Sequence, residues 1–320
     1  MIPRTVLEDK IRAAWFDAQY LLAEDVREAL ERAEKQEQLP LARLHFGMNL
    51  RSLATTSKVR MPLCGDTGLP VYFVIFGERA IGAVEGGLAT VFEVCRDAVA
   101  YATREIPMRQ DVVDSFTREE RIGNLGVGFP HFYQRIEPDT DFIEITAISV
   151  GGGPELMGQA AMVMLSLDGI KGIQKFVVEN VVRTDSGTNC NPQVVGVGVG
   201  GSMDIACGLA KQAALLRYVG ERNPRTDLAN LEEELLEILN DLEIGPWGLG
   251  GKATVMDVHI ETVDSHLASL PVAVYMHCPA MRRKTLRFYG DGRVEEGVHN
   301  SWFRRGHDEF GARPHYSVAR

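Results

Sequence analysis

Three cysteines of this chain lie in turn-like sequence. They are Cys64 in Leu63-Cys64-Gly65-Asp66-Thr67-Gly68, Cys190 in Thr188-Asn189-Cys190-Asn191-Pro192, and Cys278 in Met276-His277-Cys278-Pro279. Thiols set among Gly, Pro and Asn have the backbone freedom and solvent access that ligation or redox chemistry requires. The other two, Cys95 and Cys207, fall in helical patterning, where a cysteine is ordinarily an inert small hydrophobe. The loop cysteines are 126 and 88 positions apart, without the paired Cys-x-x-Cys spacing of structural zinc sites, so only a folded domain could unite them. Three thiolates make an incomplete cage compatible with several metals. A cubane cluster held that way keeps one iron open to a substrate oxygen, as a Lewis acid rather than an electron carrier.

The elements that must position these loops follow from periodicity. Residues 5 to 36 carry helical spacing in Val6, Ile11, Trp15, Leu21, Leu22, Val26 and Leu30, which predicts one or two amphipathic helices. Helices are also expected around 41–54, 84–104, 203–217 and 227–242, and 171–184 reads as helix or strand. Strands are expected at 69–76, 142–150, 194–202, 255–263 and 270–276, where β-branched and aromatic residues concentrate. The run Gly151-Gly152-Gly153-Pro154-Glu155 follows a strand, and a helix from Leu156 to Leu165 is expected after it. There backbone amides could approach a ligand, or the glycines could simply make a tight turn. Gly196, Gly198, Gly200 and Gly201 superficially suggest a dinucleotide fingerprint, but they alternate with valine inside a strand, and the lysine after Gly248-Leu249-Gly250-Gly251 has no Ser or Thr beside it. A nucleotide site is therefore disfavoured.

The chain has 320 residues, of which 45% are hydrophobic and 24% charged, ordinary values for a globular protein able to bury a large core. No apolar run approaches the roughly 18 residues of a membrane span, and the first ten residues lack the apolar core of a signal peptide. A cytoplasmic location and no membrane contact are expected. In such a reducing compartment five cysteines favour metal, redox chemistry or packing over disulfides. The net charge of −10 without a basic stripe argues against nucleic acid as a partner.

At this point the motifs carry a resemblance. Ala23-Glu24-Asp25-Val26, Pro62-Leu63-Cys64-Gly65-Asp66-Thr67-Gly68, the triple glycine, Val195 to Gly201, Gly248 to Lys252, and Ser265-His266-Leu267-Ala268-Ser269-Leu270-Pro271 before Cys278 occur in order over most of residues 10–290. The chain resembles the α-type catalytic subunit of the iron–sulfur hydro-lyases, the family of class I fumarases and L-tartrate dehydratases. The resemblance implies an α+β (mixed α/β) fold with mixed sheets flanked by helices. It implies a catalytic domain over residues 1–290, of one or two lobes, with a C-terminal tail at 291–320. It further implies a [4Fe–4S] cluster on Cys64, Cys190 and Cys278, catalytic roles for Asp66 and His266, and substrate binding by Arg109, Gly152, Gly153 and Arg282. The expected reaction is reversible hydration of a small dicarboxylate, of the fumarate/malate or tartrate type. A β-type partner subunit and an oligomer are expected with it.

Each residue has a plainer reading beside this one. Asp66 could support its turn, His266 could pack against the next strand, and Arg109 could pair with Asp111 or Asp114. Arg282, Arg283, Lys284 and Arg287 could form a solvated basic face. The chain also departs from the family pattern: Gly65 stands where glutamine is usual, Pro279 where histidine is common, and only Asn124 and Pro130 match an Asn-Thr-x-Asp-Asn-x-Pro motif. Those departures motivate the alternative of a cluster-binding iron or redox sensor without hydratase activity.

Overall fold

The computed structural model describes residues 1–156, 158–185 and 190–303. Two helices, α1 (Arg4–Tyr20) and α2 (Glu24–Gln36), precede α3 (Pro40–Val59), the Cys64 loop, β1 (Leu69–Gly77) and α4 (Leu88–Glu105). Strands β2 (His131–Glu137) and β3 (Phe142–Val150) follow, then the short α5 (Gly152–Leu156), β4 (Gln159–Leu165) and α6 (Gly169–Asp185). The chain continues through β5 (Gln193–Gly201), α7 (Met203–Leu216), α8 (Thr226–Asp241), β6 (Val255–Ser265), β7 (Ser269–His277), β8 (Arg282–Tyr289) and β9 (Val294–Glu296). Two mixed sheets result, in the orders β2-β1-β3-β8-β9 and β4-β7-β5-β6. This is the α+β fold expected from the sequence. Among the described residues no helix is long and apolar enough to cross a membrane.

The strands' period of two builds the layers. Along β1, Tyr72, Val74 and Phe76 pack with α1 and α4, while Val71, Phe73 and Ile75 face a central core shared with Ala206, Ala210 and Ala214 of α7. Along β7, Ala273 and Tyr275 join that central core, and Val272, Val274 and Met276 face a third core beneath α6 and α8. Each such side chain contributes roughly 1.5–3 kcal/mol on burial. The glycine alternation in β5 has its cause here: a Cβ on Gly196 or Gly198 would overlap the carbonyl oxygens of Ala210 or Ala206. These glycines let α7 lie against the sheet, so they are packing residues rather than a phosphate loop.

The expected helix from Leu156 to Leu165 is not formed. After one turn, α5, the chain becomes β4, paired with β7 from Gln159↔Tyr275 to Leu165↔Ser269. A short apolar run does not discriminate helix from strand by periodicity, and here pairing to an available sheet edge decides. Residues 171–184 resolve as helix, within α6. Three of the strands, β2, β8 and β9, had no clear signal in the sequence, and β8 also removes the solvated-face reading: Arg282 and Arg283 are buried, and Arg287 bonds Glu144 at 2.8 Å. Of the last residues, Trp302 packs edge-on against Phe73 with centroids 5.2 Å apart, and Ser301 donates to Glu144 through its N–H at 2.7 Å. Positions 304–320 of the expected tail, and Thr188 and Asn189 before Cys190, lie outside the described residues.

A charged network is buried between α8 and β6. Arg217 reaches Glu261 at 2.7 Å and Glu232 at 3.5 Å, and Arg222 reaches Asp257 at 2.7 Å. Burial pushes the Glu232 carboxyl up to about 7, although Arg217 and the N–H groups of Ile260 and Asn223 pull the other way. Folding then binds a proton between the ordinary glutamate value of 4.5 and about 7. Stability from this group is complete below the lower value and is lost as pH rises through the upper one. Denaturant titrations from pH 5 to 8 should show a loss of up to about 3 kcal/mol, and Glu232→Gln should flatten that slope. An unchanged slope in the variant would exclude Glu232 as its source.

Candidate active site

Sheet register brings the predicted loops to one place. Leu69 pairs with Val150 and Ser149 with Arg282, so the start of β1, the end of β3 and the start of β8 share one end of the first sheet. In the second sheet Val194 pairs with His277, which sets the approach to β5 beside the end of β7. Residues 278–281 then carry the chain from the second sheet to the first. Cys64, Cys190 and Cys278 thus meet where the ends of the two sheets meet.

The thiols feel one another. Cys190 is raised by burial and then by Cys64 and Asp66. Burial pushes the Cys278 thiol up to about 12; Cys190 and Cys64 add to the rise, while the Ala280 backbone and Arg282 oppose it. Burial and the neighbouring thiols make Cys190 and Cys278 resist ionisation, and a cationic group placed beside them and Cys64 would favour the thiolate forms that bind it. Among the described residues no three His, Cys, Asp or Glu side chains are placed to hold a single metal ion. A cubane cluster would not require that convergence, since it would offer a separate iron to each of Cys64, Cys190 and Cys278. The helical cysteines differ from one another: Cys95 is fully buried as expected, but Cys207 on α7 is exposed.

The Cys64 loop is held from both sides. Arg282, 1% exposed, donates to Asp66 O at 2.6 Å, Thr67 O at 2.9 Å and Gln19 Oε1 at 3.4 Å. It makes no ion pair among the described residues, and its buried Nε has no partner there. The Asp66 carboxylate accepts the Gly152 N–H, and the Asp66 N–H points to Cys64 Sγ at 3.5 Å. The Gly152 amide is therefore engaged by Asp66, and Gly153 follows it in α5. Gly68 has φ +78°, and a Cβ there would meet Val150 O at 2.5 Å, so only glycine lets this loop lie against the triple-glycine turn.

Arg109 stands at the rim. Its N–H donates to Thr67 Oγ1 at 2.7 Å, and its side chain is exposed with no ion pair among the described residues. Asp114 pairs instead with Arg121 at 2.6 Å. A Cβ on Gly65 would meet only Arg109 Nη2, at 4.0 Å, so the missing side chain leaves open space beside the guanidinium. Asp111, a site residue the sequence reading did not single out, accepts from Gly68 N at 2.9 Å. Its carboxyl is raised by burial, the Gly68 N–H pulls it back, and the hydrogen-bonded Asp66 carboxylate raises it further. Only its place two positions after Arg109 could have pointed to it. His277 was missed too: burial pushes it down to about 4, Nδ1 lies 2.7 Å from Cys278 O, and buried Nε2 has no partner among the described residues.

His266 is not part of this gathering. It sits in the exposed loop between β6 and β7, which crosses the end of β5, and its Nδ1 accepts the Ala268 N–H at 3.2 Å. The length of β7, about 25 Å at 3.3 Å per residue, separates that loop from Cys278. The structure thus unites Cys64, Cys190, Cys278, Asp66, Arg109, Gly152, Gly153 and Arg282 and leaves His266 at the far end of the second sheet.

Comparison with known proteins assigns the family. Residues 8–287 match the family described as Fumarate hydratase (Fumerase). The chain is 38% identical over 289 residues to a putative L(+)-tartrate dehydratase subunit alpha of Methanocaldococcus jannaschii, covering 90% of this chain and 99% of that protein. It is 34% identical over 280 residues to the L(+)-tartrate dehydratase subunit alpha of Escherichia coli strain K12, covering 87% and 89%. With the family matched over residues 8–287 and relatives of this identity and coverage, the chain belongs to the fumarate hydratase family and is a hydro-lyase of its α-type.

Proposed function

We propose that this chain is the cluster-bearing subunit of an iron–sulfur hydro-lyase acting on a small hydroxy-dicarboxylate of the tartrate or malate type. The observation that carries the reading is the gathering of three loop thiols from distant parts of the chain with Asp66 and Arg109, braced by buried Arg282, where the ends of the two sheets meet. Cys64, Cys190 and Cys278 would hold a [4Fe–4S] cluster, which supplies a Lewis acid for the departing hydroxyl. Arg109 offers a planar fork of donors to a substrate carboxylate. Removing a proton beside that carboxylate builds negative charge, which Arg109 and the Gly153 amide would stabilise. Asp66, aimed by the Gly152 N–H and backed by Asp111, would hold the moving proton. The names of the relatives, subunit alpha in each case, support a β-type partner that completes the site, and a cytoplasmic location accompanies the oxygen-sensitive cluster.

His266 takes part only if a second copy of the chain presents it. Its surroundings suit such a contact: Leu167 and Leu267 are 94% and 91% exposed, and among the described residues the outer edge of β4 has no pairing strand. An exposed apolar edge strand is a pairing surface. An oligomer of this chain with its β-type partner is the assembly proposed.

Anaerobic reconstitution with iron and sulfide tests the reading. The chain should become brown, bind about four irons per chain, and hydrate or dehydrate C4 substrates such as L(+)-tartrate only with its β-type partner present. Full turnover by the chain alone would refute the two-subunit reading. A cluster without turnover on C4 and C5 hydroxy acids in the complete assembly would favour a sensor instead.

A further inference from the structure

We propose that Asn124 is a positioning residue that sets Arg109 in place. The inference rests on the reading of Arg109 as the substrate-carboxylate ligand. Asn124 lies outside the site and is 1% exposed. Its Oδ1 accepts the N–H groups of Asp111 at 2.7 Å and Val112 at 3.0 Å, and its Nδ2 donates to Arg109 O at 2.9 Å and Thr103 Oγ1 at 3.2 Å. Both donors and both acceptor positions of the amide are used. One side chain therefore fastens three backbone groups of the strap formed by residues 109–112.

The strap's other side is fixed to the Cys64 loop. Arg109 N–H donates to Thr67 Oγ1 at 2.7 Å, and Asp111 Oδ2 accepts from Gly68 N at 2.9 Å. Thr103, in turn, donates to Val99 O at 2.8 Å within α4, which ties the clamp to a helix packed on the first sheet. The Arg109 side chain has no ion pair among the described residues to orient it, so its backbone must. Misplacing a binding group by about 1 Å can cost on the order of 10²-fold in rate. Asn124 has φ +55°, a conformation asparagine tolerates better than most residues. Glycine is therefore the substitution that removes the clamp without straining the backbone.

The test uses the reconstituted enzyme with its β-type partner and L(+)-tartrate. Asn124→Gly should raise KM about tenfold or more with kcat changed less than about threefold, and Arg109→Ala should raise KM at least as far. The double variant should match Arg109→Ala alone, because both changes remove one interaction. Independently of activity, amide hydrogen exchange should accelerate at Asp111 and Val112 in Asn124→Gly while β1 and β3 keep their protection. Thr103→Val, nearly isosteric, loosens the same clamp and should raise KM about threefold, again only when Arg109 is present. A normal KM in Asn124→Gly, or an increase that persists in the Arg109→Ala background, would overturn the positioning role. A normal KM in Arg109→Ala would instead remove the carboxylate reading, and the inference with it.

Discussion

Replacing Cys64, Cys190 or Cys278 by serine is expected to give a folded but colourless chain whose hydration activity in the full assembly falls by at least about 10³-fold. A serine hydroxyl stays protonated where a thiolate would bind iron, so each substitution removes one ligand of three. The fold should survive, because all three residues lie in loops and keep some exposed surface. The two remaining cysteines supply the contrast. Cys95→Ser places a hydroxyl in the core between α1, α4 and the first sheet and should cost about 1–2 kcal/mol while iron content stays normal. Cys207→Ser, on an exposed face of α7, should change stability by no more than about 0.5 kcal/mol. Iron and sulfide analysis with an absorption spectrum reads the outcome, and full cluster occupancy in any of the three loop variants would refute the assignment.

Arg282→Ala should be the most damaging change outside the cysteines, in stability and activity together. The guanidinium is buried, and its loss would leave Asp66 O and Gln19 Oε1 without their donor, leave Thr67 O with the Ser149 hydroxyl alone, and open a cavity between the sheets' ends. Orphaned buried acceptors and a large-to-small change together predict a loss on the order of 3–5 kcal/mol. The same bonds fix the Cys64 loop, so iron retention and turnover should fall with stability. Arg282→Lys keeps the charge but replaces the planar fork by a single ammonium, and it should recover part of the stability without full activity. Denaturant unfolding and iron content, measured side by side, decide the matter. An Arg282→Ala chain of ordinary stability and full iron content would show that the loop is held by other means.

The cysteine motif illustrates how far local sequence reaches. Gly and Pro around each thiol marked a loop, and the ordered motifs marked the family, because turn chemistry and residue type act over a few positions. The strands around 69–76 and 142–150 were legible for the same reason. Arg282 was legible only as a motif residue, since nothing nearby in sequence shows that β8 is interior and that three oxygens from residues 19, 66 and 67 surround the guanidinium. Asn124 likewise matched a motif, while its four hydrogen bonds span residues 103 to 124. Asp111 carried no signal of its own because its significance lies in its contact with Gly68 and Asp66, more than forty positions earlier.

By itself the sequence determined the reaction class, the candidate ligands, most helices and strands, and the need for glycine at tight positions such as Gly68. These depend on periodicity, turn geometry and side-chain chemistry, all of which are local. The tertiary structure alone decided that residues 159–165 pair as an edge strand, that Arg282 is a buried brace, that Asn124 fastens the Arg109 strap, and that His266 is remote from the cysteines. Those outcomes follow from which strand lies beside which and in what register. Register is set by the packing of two whole sheets around α7, and no short stretch of chain contains that information.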